Sequence, residues 1–306
     1  MAKRVKDPGL GYNSSSNAQR IINADGTSNV VHANRRFGAD DLYTFFIELP
    51  WWQFFALIII GYSLLNVLFA FVYVLIGIEQ ITPSKGNFIG DFLNGFFFSA
   101  QTLTTVGYGG IAPKGIAANC IAAFEAMIGL LSFSFITGLL YGRFSKAKAS
   151  IRFSENLILR DFKKDRALMF RLMNRRKTVM IEPEVSVTLS ISEKDKRGKY
   201  KSKFYQLKLE RDKIMYLPTV WTIVHEIDDN SPLNSYSNKE ISKLDGVLYV
   251  LMQYHEESFG QKVYQITSYN FSSLEVDAKY TSSFYFDEEG NTILDHSKLS
   301  EISKMN

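Results

Sequence analysis

Two scarcities set the first limits on this chain. It has a single cysteine in 306 residues, Cys120. That excludes an intrachain disulfide and a cluster of thiolate ligands, and a buried, inert thiol is expected there. Charge is missing over a long stretch: nothing between Glu48 and Glu79 carries one, and the interval holds "WWQFFALIIIGYSLLNVLFAFVYVLIGI". An Arg-rich amphipathic span is also lacking, which excludes a voltage sensor of that kind. The polar C-terminal half has no G-x-G-x-x-G fingerprint, which argues against a Rossmann-type nucleotide-binding domain. His225 and His255 are each followed by Glu, but "HEIDD" and "HEESF" do not give the H-E-x-x-H zinc spacing. With no nucleophile–base pair and no phosphate loop, an enzyme on a membrane anchor is set aside.

What is present is strongly segregated. The averages, 46% hydrophobic and 22% charged, look soluble. The uncharged stretch, however, is long enough in helical form for the roughly 30 Å hydrocarbon core. It starts some way into the chain and is too long for a cleaved signal peptide. A second apolar run, "GIAANCIAAFEAMIGLLSFSFITGLLYG", lies between Lys114 and Arg143 with Glu125 as its one charge. An acid at that depth needs a partner, which is expected on the segment between the two runs. Beyond Arg143 the composition is mixed. The loop after the first run carries one lysine, Lys85, whereas Arg35 and Arg36 precede the first run and Arg143, Lys146, Lys148 and Arg152 follow the second. The positive-inside rule then puts both termini in the cytoplasm.

Two full spans force the intervening segment to enter and leave on the outer side. "DFLNGFFFSAQTL" reads as a short helix dipping into the membrane, and "TVGYGGIAP" as an extended return. Non-helical backbone at membrane depth is tolerated only inside protein or beside water. A potassium ion leaving water needs carbonyl oxygens in place of its hydration shell. Aiming successive carbonyls one way requires backbone angles that glycine accepts freely. Thr105, Val106, Gly107, Tyr108 and Gly109 are therefore the candidate ion-binding segment, with K+ at Thr105 to Tyr108 and the Val106 and Tyr108 side chains packed behind. One such loop is a quarter of a ring, so a homotetramer is implied.

Two further helical stripes stand out. "DDLYTFFIELP" places Leu42, Phe45, Phe46 and Leu49 on one side and stops at Pro50, the pattern of an interfacial amphipathic helix. In the second run, Phe133, Thr137 and Tyr141 recur every four residues and share a face. Gly129 and Gly138 would let that helix bend or pack closely. The polar half shows strands: "EVSVTLSIS" alternates Val185, Val187, Leu189 and Ile191 with polar residues, and "FYQLKLE" repeats this with Tyr205, Leu207 and Leu209. The run "EKDKRGKYKSK" between them reads as a solvated hairpin tip, not a nucleic-acid contact. Several such segments suggest an all-β sandwich.

Taken with "TVGYG", the segments "FSENLILRDF", "LMFRLMNRR" and "TIVHEIDDNSPL" resemble those of inward-rectifier potassium channels, most of all the prokaryotic branch. The resemblance runs from about Asp25 to Leu299. It implies a two-span membrane α-helical pore with a re-entrant pore helix, plus a cytoplasmic immunoglobulin-like β-sandwich extending the pore. The implied organisation is an N-terminal segment with a slide helix (1–50), a pore domain (51–145) and a cytoplasmic domain (146–306). The implied setting is a prokaryotic plasma membrane, with no organic cofactor and no nucleic-acid partner. Phe133 and Tyr141 fall at pore constrictions, and Arg35, Arg36, Arg143, Lys146 and Lys148 where the family binds anionic phospholipid. Glu182 and Glu257 match acids that line the cytoplasmic pore and attract polyamine or Mg2+ blockers. Phe133 replaces the acid of strong rectifiers, and Gln101 and Ile111 replace the Glu–Arg brace of animal members. The alternative is a ligand-gated two-span channel with an unrelated cytoplasmic sensor.

Overall fold

A computed structural model describes residues 4–11, 19–34, 38–194 and 200–304. The candidate lipid residues Arg35 and Arg36, and the hairpin tip 195–199, lie outside the described residues. Contacts divide the chain into two compact units, 34–146 and a second made of 1–33 with 147–306. The N-terminal segment expected over 1–50 is thus shared between the units at Ala33/Asn34.

The helical unit starts with α1 (Ala39–Glu48), where the amphipathic stripe predicts it. Pro50 separates it from α2 (Trp51–Ile76), because proline supplies no N–H and suits a helix start. Gly77, at φ +96°, ends α2. The pore-helix segment forms α3 (Phe88–Leu103), capped by the Asn87 carboxamide oxygen accepting from the Gly90 N–H at 2.7 Å. The second apolar run forms α4 (Ile116–Ser145). Among the described residues, α2 and α4 are the two helices long and apolar enough to cross a membrane, with mean hydropathies of 2.4 and 1.8. Both leave most of their apolar surface open within one chain, as suits helices whose solvent is lipid or another protein surface.

The second unit is all-β. Strands β1 (Arg4–Val5), β2 (Ile151–Phe153), β3 (Leu157–Phe162), β4 (Asp165–Asn174), β5 (Met180–Lys194), β6 (Tyr200–Leu207), β7 (Tyr216–Leu217), β8 (Val220–Ile227), β9 (Gly246–Glu256), β10 (Gln261–Asn270) and β11 (Leu274–Val276) make two sheets. One runs β1-β6-β5-β9-β10 with β7 beside β5; the other runs β11-β3-β4-β2 with β8 beside β4. Their facing side chains form one core. The alternation read from "EVSVTLSIS" is realised: Val185, Val187, Leu189 and Ile191 are all buried in it. Register places Leu207 opposite Val187 and Tyr205 opposite Leu189, so the second stripe meets the same core. Phe204, on the opposite face of β6, is buried as well.

The N-terminal stretch joins this unit by pairing Arg4 with Tyr205 and Val5 with Phe204. Further on, the Thr267 and Ser268 hydroxyls of β10 donate to the carbonyls of Ala24 and Ile22 at 2.7 and 2.5 Å. An edge strand is thereby occupied instead of left open.

Candidate ion pathway

Helix α3 sets the start of the candidate ion-binding segment. After Leu103 the chain leaves the helix, and the N–H groups of Val106 and Gly107 donate back to the Gln101 carbonyl at 3.0 and 3.4 Å. Positive φ then falls at every second residue: Thr105 at +59°, Gly107 at +51° and Gly109 at +82°. Val106 and Tyr108 between them are not in that half of the map. Alternating handedness turns successive carbonyls to one side, and glycine takes the left-handed positions without strain. Thr105, with a branched Cβ, holds its positive φ at a cost, and such strain persists only where surrounding structure imposes it. The expectation that Val106 and Tyr108 pack behind the strand is not met within one chain. They are 52% and 82% exposed, since α3 and α4 of the same chain do not reach across them.

Phe133, Thr137 and Tyr141 line up on an open face of α4, Phe133 and Tyr141 being 71% and 75% exposed. The Thr137 hydroxyl donates to the Phe133 carbonyl at 2.8 Å, so its methyl is left for the outside. The two candidate hinge glycines differ sharply. A Cβ on Gly138 would meet nothing within 4 Å, but one on Gly129 would sit 2.3 Å from the Leu103 carbonyl oxygen. Gly129 is therefore the contact at which α4 touches the end of α3. Beside it, a mainly apolar cavity of about 840 Å³ is lined by Tyr62, Leu65, Thr105, Gly129, Phe133 and Ile136, among others.

At the far end of α4, Arg143 docks through its two terminal guanidinium nitrogens, while its buried Nε has no partner among the described residues. Its guanidinium donates to the carbonyls of Phe46, Ile47 and Leu49 at 2.6, 3.0 and 2.7 Å. The same group lies 4.4 Å from the Trp51 ring centre and 4.6 Å from that of Phe54. A cation on the orphan carbonyls of a helix C-terminus is favourable on both hydrogen-bond and dipole grounds. Arg143 thus joins α4 to the end of α1. Lys146 pairs with Glu48 at 2.8 Å in the open, and Lys148 is exposed.

Glu125 finds the partner expected on α3: the Ser99 hydroxyl, with the Tyr73 hydroxyl of α2 donating to its other oxygen at 2.6 Å. The expectation for Cys120 is corrected. Its thiol is exposed, because it lies on an outward face of α4 that nothing covers among the described residues.

In the β unit, Glu182 stands at a bulge of β5 with φ +47° and pairs with Lys213 at 3.4 Å. Glu257 accepts weakly from the Val179 N–H at 3.4 Å. Met180 pairs with Glu256, so both acids sit at one end of the β5–β9 ladder. His225, in the quoted "VHEIDDNSPL", is buried. Its Nδ1 meets the Lys208 carbonyl at 2.7 Å and its Nε2 the Ser231 hydroxyl at 2.8 Å. Burial pushes its pKa down from the ordinary 6.5, as a site satisfied by neutral imidazole should.

The comparisons with known proteins agree with this layout. Residues 151–306 match the family described as the inward rectifier potassium channel C-terminal domain, and residues 57–146 match the family described as ion channel. The chain is 32% identical over 289 residues to the inward rectifier potassium channel Kirbac3.1 of Paramagnetospirillum magnetotacticum, across 93% of this chain and 96% of that protein. Among solved structures, it is matched to the sporulation control protein Spo0M of Bacillus subtilis with 9% identity and a TM-score of 0.22, covering 42% of this chain and 50% of that one. A match to the Pseudomonas fluorescens alkylpurine DNA glycosylase AlkC has 11% identity and a TM-score of 0.21, covering 62% and 48%. Likenesses that faint carry no weight here.

Proposed function

The chain belongs to the inward-rectifier potassium channel family, and from that membership we propose that potassium ions cross the membrane on the carbonyls of Thr105, Val106, Gly107 and Tyr108. It is a membrane channel and not an enzyme. The observation that carries the filter reading is the alternation of positive φ at Thr105, Gly107 and Gly109, directly after α3 and between two membrane-length helices. Four copies around one axis complete the ring of oxygens. The open Val106 and Tyr108 side chains support this, because neighbouring copies would cover them.

In that tetramer the open face of α4 turns to the axis, and four Tyr141 or four Phe133 side chains close the path by a hydrophobic barrier. The β unit is taken as an immunoglobulin-like cytoplasmic sandwich, and its Glu182 and Glu257 draw cations, including polyamine or Mg2+ blockers. Both termini face the cytoplasm of a prokaryotic cell. Lys146 and Lys148 meet anionic phospholipid, each such charge contributing about 1 kcal/mol near an anionic leaflet. Arg143 acts beside them by holding α1 to α4. The match over 151–306 is to a rectifier domain, which supports this reading over an unrelated ligand sensor.

The test is Gly107→Ala in liposomes. The new Cβ meets no atom within 4 Å, but it sits on a residue at φ +51°. Potassium flux should therefore collapse through backbone strain while the protein still inserts. Full flux in the variant would refute the role given to this segment.

A further inference from the structure

Four polar side chains meet between α2, α3 and α4, each 0% exposed: Asn66 and Tyr73 of α2, Ser99 of α3 and Glu125 of α4. Burying an acid here is costly unless it is neutral or fully satisfied. Among the described residues no cation pairs with Glu125. The hydrogen-bond inventory of the cluster is closed and can be counted.

Asn66 comes first, because its orientation decides the rest. Its Nδ2 lies 2.7 Å from the Tyr62 carbonyl oxygen, which can only accept. The amide is thereby fixed with Oδ1 toward Ser99, 2.9 Å from that hydroxyl. An oxygen of this kind can only accept, so the single Ser99 proton belongs on the Ser99–Asn66 contact. Ser99 also contacts Oε1 of Glu125, and Tyr73 donates to Oε2. The contacts number three and the two hydroxyls supply two protons. The third has one remaining source, the carboxyl of Glu125. None of the four side chains has a buried polar atom without a partner.

We propose that Glu125 is held as a neutral carboxylic acid that donates to Ser99, and that this bond positions the pore helix and, through it, the filter. The mechanical path is short. Ser99 lies two residues before Gln101, whose carbonyl takes the N–H groups of Val106 and Gly107. A shift of α3 at Ser99 is passed directly to the residues that set the first ion sites. Glu125 is thus a positioning residue for selectivity, and the inference rests on the filter reading above.

The experiment uses the full chain in liposomes, reading the potassium-over-sodium flux ratio, together with infrared spectra of the purified protein. Glu125→Gln keeps all three contacts, since its amide N–H donates to Ser99 and its oxygen accepts from Tyr73. Its ratio should stay close to that of the unmodified protein. Ser99→Ala removes the tie to α3 while leaving the Tyr73–Glu125 pair, and Glu125→Ala removes both. Each should lower the ratio about tenfold, the scale of one lost buried hydrogen bond. The unmodified protein should also show a protonated-carboxyl C=O band that Glu125→Gln removes. If Glu125→Ala fails to assemble, Glu125→Gln and Ser99→Ala still decide. An unmodified protein that does not separate potassium from sodium overturns the filter reading. A selective protein in which Glu125→Gln is as poor as Glu125→Ala, in which Ser99→Ala changes nothing, or which lacks the band, overturns this inference alone.

Discussion

Substituting the two α4 glycines separately distinguishes a bending role from a contact role. At Gly138 an added methyl meets nothing within 4 Å. Alanine there should be neutral or stabilising by up to about 1 kcal/mol, the helix-propensity difference. At Gly129 the methyl would lie 2.3 Å from the Leu103 carbonyl oxygen and 2.9 Å from that residue's C and Cα. All three are backbone atoms, so no side chain can rotate away, and the end of α3 must move by about 1 Å to reach ordinary contact. Overpacking of this kind costs typically 1–3 kcal/mol. The strain falls on Leu103, two residues before Thr105. Gly129→Ala should therefore lower the thermal stability of the solubilised channel and reduce potassium flux, while Gly138→Ala does neither. Paired melting curves and liposome flux at matched incorporation provide the assay. Equal tolerance of both substitutions would refute the contact at Gly129, and a larger loss at Gly138 would restore the hinge reading.

Tyr141→Ala, at the proposed inner constriction, should raise basal flux without altering potassium-over-sodium preference; flux unchanged across several lipid mixtures would move the proposed gate to Phe133. Neutralising Lys146 and Lys148 together should blunt the flux response to phosphoinositide in the bilayer, and a full response at matched incorporation would leave them as topology signals only. His225 predicts acid sensitivity of a definite sign. Its folded pKa lies below 6.5 through burial, so the unfolded chain binds the proton more readily. Its contribution to stability is complete above the ordinary histidine range and is lost as pH falls through and below it, by at most about 1.4 kcal/mol per pH unit. Melting of the full channel against pH should show this slope, and His225→Asn should flatten it.

The unusual backbone of Thr105 to Gly109 is legible in the sequence because glycine placement sets it. Alternate glycines in an uncharged segment announce unusual φ, and the positive values at Thr105, Gly107 and Gly109 match it. The strand over Val185 to Ile191 was legible for a similar reason, since burial on one face imposes a period of two. Contacts to main-chain atoms were not legible. Arg143 looked like a lipid ligand because lysines and arginines near a span end all read alike, and nothing in the letters marks the carbonyls of Phe46, Ile47 and Leu49 as its partners. Gly129 announces that something needs the space of a side chain, without saying whether that something is a bend or the Leu103 carbonyl. Glu125 demanded a partner, but Ser99 is one of several small polar residues nearby, and its choice depends on the rotation of α3. Cys120 was misjudged because apolar surroundings in sequence do not distinguish a core from a face turned outward.

The central claim is that Thr105 to Gly109 form a potassium-selective path. It is tested most directly by ion flux through the unmodified protein in liposomes of defined lipid composition. The account predicts uptake of potassium and rubidium, near-exclusion of sodium, and block by barium, a divalent ion close to potassium in size. Equal sodium and potassium flux, unaffected by barium, would contradict it.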